Sequence, residues 1–457
     1  MRETAIWQIE RAISGELLSG VRDDTVTGVS TDSRRAGRGD VFFALSGKNG
    51  DGHDFICGAV QNGAKCVVVS KDNTPVSYAG VSVIKTADTT KALHDFTKWY
   101  IADLGIRTIG ITGSTGKTTT KDMLYHICCE KYRTGCTIGN LNTHTGLPLT
   151  VFSFDAGVEI GVLEMGAEEI GEIHLLADIA RPAVSVITNI GVSHIESFGS
   201  RENILKGKME ITDFLGENGL LVFNAENDML TKDNVSGPYR LAAVGSSEES
   251  DYILSDVSEL GGDGIEFTLS HNGIIKAFRL GIPGRHNAMN ASLAIAAAGG
   301  VGISMDEAER GLAKAVLSEN RLNIREKNGI KVINDTYNAS PDSMRAAIGV
   351  LLSVSGARKI AVLADMLGLG GESKFYHEQI GEFIAASNID ILISTGKMAK
   401  CIAEKAKETM GEDRVVHFDG REQLEAKIRD IASPGDVILV KGSRAMGMES
   451  VAGKLLE

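Results

Sequence analysis

Short unbroken apolar runs alternate along this chain with longer stretches whose apolar positions recur at helical spacing, and glycines mark many of the changes. That alternation predicts strands joined by helical crossovers, and hence mostly parallel sheets in an α/β fold. Over residues 1–100 it predicts a helix at 4–13, strands at 25–29, 40–43 and 81–84, and a helix, glycine stop and buried strand in AVQNGAKCVVVS. Over 101–320 the strands fall at 106–111, 159–164, 183–190 and 220–224. Over 321–457 they fall at 330–333, 360–363, 391–393 and 437–440, and the returns GLGGES and KGSRAMG follow strand ends, where they can face the central region. Three domains with these bounds are expected, without tandem repeats or a low-complexity linker.

Composition narrows the class. A chain of 457 residues is too long for one hydrophobic core, and 43% hydrophobic with 23% charged residues is an ordinary soluble composition. The formal net charge of -13 argues against a nucleic-acid partner but allows a local basic site for phosphates. The six cysteines show no metal-ligand spacing, and adjacent Cys128 and Cys129 lie in a helical pattern, reduced and packed rather than bridged. There is no apolar leader before a processing site and no apolar run of about 18 residues, so a cytoplasmic protein without membrane insertion is expected.

The strongest chemical signal is RTIGITGSTGKTTTK at 107–121. A buried strand enters a glycine-spaced turn that opens a helix. Gly113 and Gly116 let the backbone bend close to an anion, and the N–H groups of Ser114, Thr115 and the helix start at Lys117 to Thr119 face it. Lys117 supplies a positive charge, and Thr118 can place its hydroxyl on a magnesium ion bridging two phosphates. Ile111 stands where the full nucleotide motif has glycine, so this is a shortened form, GxxGKT. The alternative is a loop whose glycines merely make a tight turn.

Other candidates are each ambiguous alone. TDSRRAGRGDVFFALSGKNGDGHDFI is a ligand loop holding phosphate through Ser33, Arg34, Lys48 and His53, with Asp51 and Gly52 beside them, or a set of solvent-facing turns. Glu164 ends a strand, where a carboxylate can take metal or its water; His194 follows another strand as a ligand or as a polar loop residue. Lys208 reads as a surface-helix residue, although carbamylation would make it an oxygen-rich anion able to sit near magnesium. His286, Asn287 and Asn290 open an alanine-rich helix as base contacts or caps. Arg321 bridges phosphates or is a solvated interdomain side chain. Asp335, Asn338, Ser340 and Pro341 bind ribose and peptide or terminate a strand and cap a helix.

Taken in order, TDSR, GDGHDF, TGSTGKTTTK, GNLNTHTGLP, EMG, SHIESFGS, KGKMEI, GRHNAMN, DTYNASPDSM, ADM and KGSRAMGME span nearly the whole chain. Their combination resembles the Mur ligase family. The resemblance implies an N-terminal uridine-nucleotide domain, a central ATPase domain and a C-terminal Rossmann-like domain. It implies ATP and Mg²⁺ as cofactors, with Lys117 on the transferring phosphate and Thr118 and Glu164 on one magnesium. It places His194 and a carbamylated Lys208 at a second metal or the acyl-phosphate geometry, Asn287 or Asn290 at adenine, Arg321 at the phosphates and Asp335 at ribose. The implied partners are UDP-N-acetylmuramoyl-tripeptide, near Ser33, Arg34 and the 48–53 loop, and D-alanyl-D-alanine, near Asn338 and Ser340. The implied reaction is amide formation through an acyl phosphate, by a monomer.

Three segments depart from the family pattern. GNLNTHTG stands where GNxNNxxG is usual, so Asn142, Thr143 and His144 leave acceptor choice open; ASP replaces ANP at 339–341; and ADMLGLG carries Ala364 for glycine and Gly368 for an acid. Other readings are a ligase of the same superfamily adding a diamino acid or extending folate with glutamate, and a noncatalytic ATP-binding protein.

Overall fold

The computed structural model describes residues 1–47, 50–72, 78 and 80–457. Three sheets carry the architecture. The first orders its strands Glu16–Ser19, Ser82–Lys85, Cys66–Val69, Asp40–Phe43 and Gly28–Ser30, parallel except for the first pair. The strand expected at 25–29 is two: Thr25–Val26 pairs with Thr4–Ala5, and Gly28–Ser30 joins the sheet. That pairing takes the backbone of Thr4, so the opening helix is shorter than expected, Ile6–Ala12.

The central sheet has nine strands, in the order Thr134–Cys136, Ile160–Glu164, Arg107–Thr112, Val184–Ile187, Leu220–Asn224, Arg240–Gly245, Tyr252–Glu259, Ile265–His271 and Ile274–Leu280. It is parallel as far as Tyr252–Glu259 and antiparallel beyond. Register sets the site: Ile111 pairs with Glu164 and Thr112 with Ile187, so three carboxyl ends open on one place. The C-terminal sheet runs Asn323–Lys327, Ile330–Asp335, Asp436–Lys441, Arg358–Ala364, Ile391–Thr395 and Val415–Phe418, with only its first pair antiparallel.

The first two domains share one apolar core. Helix Thr89–Leu104 runs through residue 100 and sets Phe96 and Tyr100 against Phe152 of helix Gly146–Phe152, with ring centroids 4.8 and 5.2 Å apart. The C-terminal core is separate, and the central residues Val192 and Ile195 pack on it. Cys128 is buried, but Cys129 is exposed rather than packed, because the helix ends at Cys128 and Cys129 is its cap. Among the described residues no helix is long and apolar enough to cross a membrane.

Candidate active site

The loop from Gly113 to Gly116 joins strand Arg107–Thr112 to helix Lys117–Cys128. Both glycines are needed. Gly113 has φ 148° and Gly116 φ 78°; a Cβ would stand 2.0 Å from Thr188 Oγ1 at the first and 2.6 Å from Asn290 Oδ1 at the second. The turn after strand Val184–Ile187 holds the loop open. Asn189 Oδ1 accepts from Thr115 N–H at 2.8 Å, Asn189 O from Ser114 N–H at 3.0 Å, and Thr188 Oγ donates to Thr115 O at 2.5 Å, so the Ser114 and Thr115 N–H groups expected to face an anion are tied to Asn189 and the helix start is what remains for one. Lys117 Nζ folds back on Gly113 O at 2.7 Å. Burial pushes its ammonium below the ordinary lysine value, with Glu164 opposing the shift and Arg321 adding to it.

Glu164 is 3% exposed. Its Oε2 accepts from Thr118 Oγ at 2.7 Å, its Oε1 from Asn142 Nδ2 at 2.8 Å, and its N–H donates to Thr137 Oγ1 at 2.9 Å. His194 has a left-handed backbone at φ 62° and puts Nδ1 3.8 Å from Glu168 Oε1. Burial first, then the Lys117 charge, lowers its pKa. Lys208 is not the surface residue its helix suggested: it is 2% exposed, over the Phe198 ring, with one long bond, 3.5 Å to Ala167 O. The polar look of helix Arg201–Met209 hides it, because Lys208 lies with Ile204 and Gly207 on the buried face of that helix. Desolvation, then Lys117, pushes its amine down to about 7.

Ser114 to Thr119, Asn142, Glu164, Asn189 and His194 line a cavity of 770 Å³ together with residues of the C-terminal domain, and Lys208 lies outside that lining. Arg321 lies over the Tyr337 ring at 4.1 Å. Asp335 ends its strand and is held by Lys441 Nζ at 2.5 Å and by Leu322 N–H at 3.2 Å. Lys441, 2% exposed at the end of strand Asp436–Lys441, also donates to Asn338 O at 2.9 Å. The Asn338 side chain accepts from Ala339 N–H, and Ser340 with Pro341 begins helix Pro341–Ser353 through a reciprocal contact with Ser343. Asn290 faces the cavity; Asn287 is turned away, donating to Pro283 O at 2.7 Å and accepting from Asn290 at 3.0 Å. The GLGGES return meets the central domain, where Glu196 N–H donates to Gly368 O at 3.3 Å, and Ser443 of KGSRAMG accepts from Leu367 N–H at 2.8 Å.

Asn142, Thr143 and His144 line the same cavity, and His94 Nε2 donates to the His144 carbonyl at 2.9 Å. The first-domain candidates stand apart from the lining. Arg34 grips Asp32 through two bonds of 2.9 and 2.8 Å, and Ser33 O accepts from Asn62 at 2.8 Å. His53 Nε2 accepts from Ser70 N–H at 3.0 Å, so its Nδ1 carries the proton and donates to Asp51 at 2.7 Å. Lys71 also bonds Asp51, and its ammonium is the main cause that holds this carboxyl below the usual range. At Gly52 a Cβ would lie 2.6 Å from Leu45 N, and Lys48 lies outside the described residues. Asn189, Tyr337 and Lys441 were missed from the sequence; only TNIG and ILVKGS, each closing an apolar run, pointed towards two of them.

Models of known families match three consecutive stretches: the Mur ligase family catalytic domain at 25–100, the Mur ligase middle domain at 111–298, and the Mur ligase, glutamate ligase domain at 320–444. The chain is 39% identical to the UDP-N-acetylmuramoyl-tripeptide--D-alanyl-D-alanine ligase of Bacillus subtilis, over 100% of this chain and 99% of that one. It belongs to the Mur ligase family. Among solved Mur ligases, MurF from Acinetobacter baumannii superposes with a TM-score of 0.91 at 29% identity, over 100% of this chain and 99% of that one. A MurF ligase from Thermotoga maritima in complex with ADP gives 0.83 at 30%, over 94% and 97%. As a Mur ligase the chain is an ATP-dependent ligase of three α/β domains, and the other readings raised by the sequence are not favoured.

Proposed function

We propose that this Mur ligase joins D-alanyl-D-alanine to UDP-N-acetylmuramoyl-tripeptide, giving the pentapeptide precursor of peptidoglycan, as a cytoplasmic monomer with domains at 1–100, 101–320 and 321–457. The observation that carries it is the phosphate loop facing Glu164 and the C-terminal domain across one cavity, in a chain akin over its whole length to ligases so named. The donor's terminal carboxylate attacks the γ-phosphorus of ATP; the bond to the β-phosphate oxygen breaks and ADP leaves. The dipeptide's amine then attacks the acyl carbon of the resulting acyl phosphate, loses a proton, and phosphate departs. Lys117, the N–H groups that open helix Lys117–Cys128 and Arg321 meet charge that grows on the phosphoryl oxygens. Glu164 is held so that its acceptors are aimed before substrate arrives.

The residues fit Mg²⁺. Thr118 Oγ1 and Glu164 Oε2, 2.7 Å apart, are the hard oxygen ligands this ion prefers. Among the described residues no three His, Cys, Asp or Glu side chains converge, so nucleotide oxygens and water would complete the shell. Bound there, the ion would screen the phosphoryl charge. Lys208, desolvated and poorly bonded, suits a carbamate, and His194, which feels the Lys117 charge and lines the cavity, suits the acyl-phosphate side. Asn290 is suited to the adenine, with Asn287 orienting it, and Asp335 to the ribose. Ser33, Arg34 and the loop at 48–53 belong to the uridine-nucleotide side, and Asn142, Thr143, His144, Asn338 and Ser340 to the acceptor side. Conversion of tripeptide to pentapeptide, followed by mass alongside ADP and phosphate, tests the reading. Omitting D-alanyl-D-alanine should abolish the product; equal use of a lone diamino acid or glutamate would overturn the acceptor assignment.

A further inference from the structure

Helix Lys117–Cys128, which opens on the phosphate loop, carries an acid that the proposed reaction leaves unused. Asp122, 7% exposed, accepts twice from one residue of the linker to the C-terminal domain: Ser318 N–H to Oδ2 at 2.8 Å and Ser318 Oγ to Oδ1 at 3.1 Å. Its neighbour Lys121, also buried, lies 2.7 Å from Asp122 Oδ1 and donates to Thr137 O at 3.0 Å. The Thr137 hydroxyl in turn accepts from Glu164 N–H. A buried polar chain therefore runs from Glu164 to the linker.

Beyond Ser318 the linker adopts a backbone its residues disfavour. Asn320 and Leu322 are both left-handed, φ 62° and 46°, and a leucine there crowds Cβ against the next carbonyl. The C-terminal domain holds this shape with bonds from Asn334 Nδ2 to Asn320 Oδ1 at 2.9 Å, Tyr337 N–H to Asn320 O at 3.1 Å, and Leu322 N–H to Asp335 Oδ1 at 3.2 Å. Between the two left-handed residues stands Arg321, fixed over Tyr337, its buried Nε without a partner among the described residues. A strained segment clamped at both ends presents a donor that the protein itself does not satisfy.

We infer that Asp122 is a positioning residue: through Ser318 it sets the linker so that Arg321 meets the phosphates of a nucleotide seated on the Lys117 loop. The inference rests on the proposed assignment of Arg321 to those phosphates. The test measures ADP affinity by calorimetry on the full chain, with KM for ATP and kcat in the ligation assay, for Arg321→Ala, Asp122→Asn, Ser318→Ala and the two double variants with Arg321→Ala. Arg321→Ala should weaken ADP binding and raise KM for ATP about tenfold, the scale of one charge-assisted hydrogen bond. Asp122→Asn and Ser318→Ala should each raise KM several-fold, yet add nothing to Arg321→Ala, because they act through the same guanidinium. Ser318→Ala removes the hydroxyl bond and leaves the backbone N–H bond and the Lys121–Asp122 pair intact, so it reports on the linker contact without disturbing the fold of the helix. Losses that multiply in the double variants, or no loss in both Asp122→Asn and Ser318→Ala, would overturn the inference and leave the Arg321 assignment standing. Unchanged ADP affinity in Arg321→Ala would overturn that assignment and the inference with it.

Discussion

Two lysines show how burial assigns different chemistry to one side chain. Lys117 keeps a carbonyl partner at 2.7 Å and Glu164 nearby, so it is poised as a charge. Replacing it with alanine should lower phosphoryl transfer about a hundredfold or more, the scale of losing one preorganised donor, as read by ADP formation. Among the described residues Lys208 makes one hydrogen bond, at 3.5 Å, and burial pushes its amine down to about 7, so its free base can add carbon dioxide and shed a proton to become a carbamate. Ligation should therefore rise with pH through about 7 and, at lower pH, respond to added bicarbonate; a carbamate signal in carbon-13 NMR that Lys208→Arg lacks is the direct check. A flat response with no signal would remove the modification. The sign for stability follows from proton counts. An unfolded lysine titrates near 10.4, so between about 7 and there the unfolded chain holds more protons. Stability then rises with pH across that window by at most about 1.4 kcal/mol per unit from this group, with no slope below it. Urea titrations of Lys208→Met should lack that slope.

At the scale of elements, the strand-loop-helix unit has no room for substitution. Gly116→Ala meets both a φ of 78° and a Cβ 2.6 Å from Asn290 Oδ1, so a loss of about 1–3 kcal/mol is expected. ADP affinity should fall with it, read by melting and calorimetry on the same sample. This unit was legible in the sequence because everything it needs is contiguous: an apolar run, two glycines, Lys117 and Thr118. The parallel strands were legible for a related reason, since burial on both faces makes them continuous apolar runs. Strands Tyr252–Glu259, Ile265–His271 and Ile274–Leu280 escaped notice because one face of each is wet and their apolar residues are spread by alternation. Lys441 could not be paired with Asp335 from sequence, since 106 positions separate them and only the adjacency of two parallel strands unites them. Lys208 was misread because periodicity reports the average face of a helix and not the one charged position that is buried with its apolar face.

For the whole molecule, the two interdomain junctions differ in kind. Phe96 and Tyr100 meet Phe152 in an apolar seam, whereas the C-terminal domain, apart from the packing of Val192 and Ile195 on its core, faces the centre across a cavity lined largely by polar side chains. Phe152→Ala should cost about 3–5 kcal/mol, lowering the melting of the first two domains together while ADP affinity holds. Saturating ADP should stabilise the molecule by about 2.7 kcal/mol at a hundredfold excess over Kd, and calorimetry should place that gain in the central and C-terminal units, whose residues line the cavity. Equal stabilisation of all parts would mean that the seam transmits more than it separates. The seam also bears on grafting between relatives. A hybrid that imports a foreign C-terminal third has to match a rim of polar side chains, which tolerate small offsets through water. One that imports a foreign first hundred residues must bring helix Gly146–Phe152 along, because the ring that completes its interior belongs to the neighbouring domain.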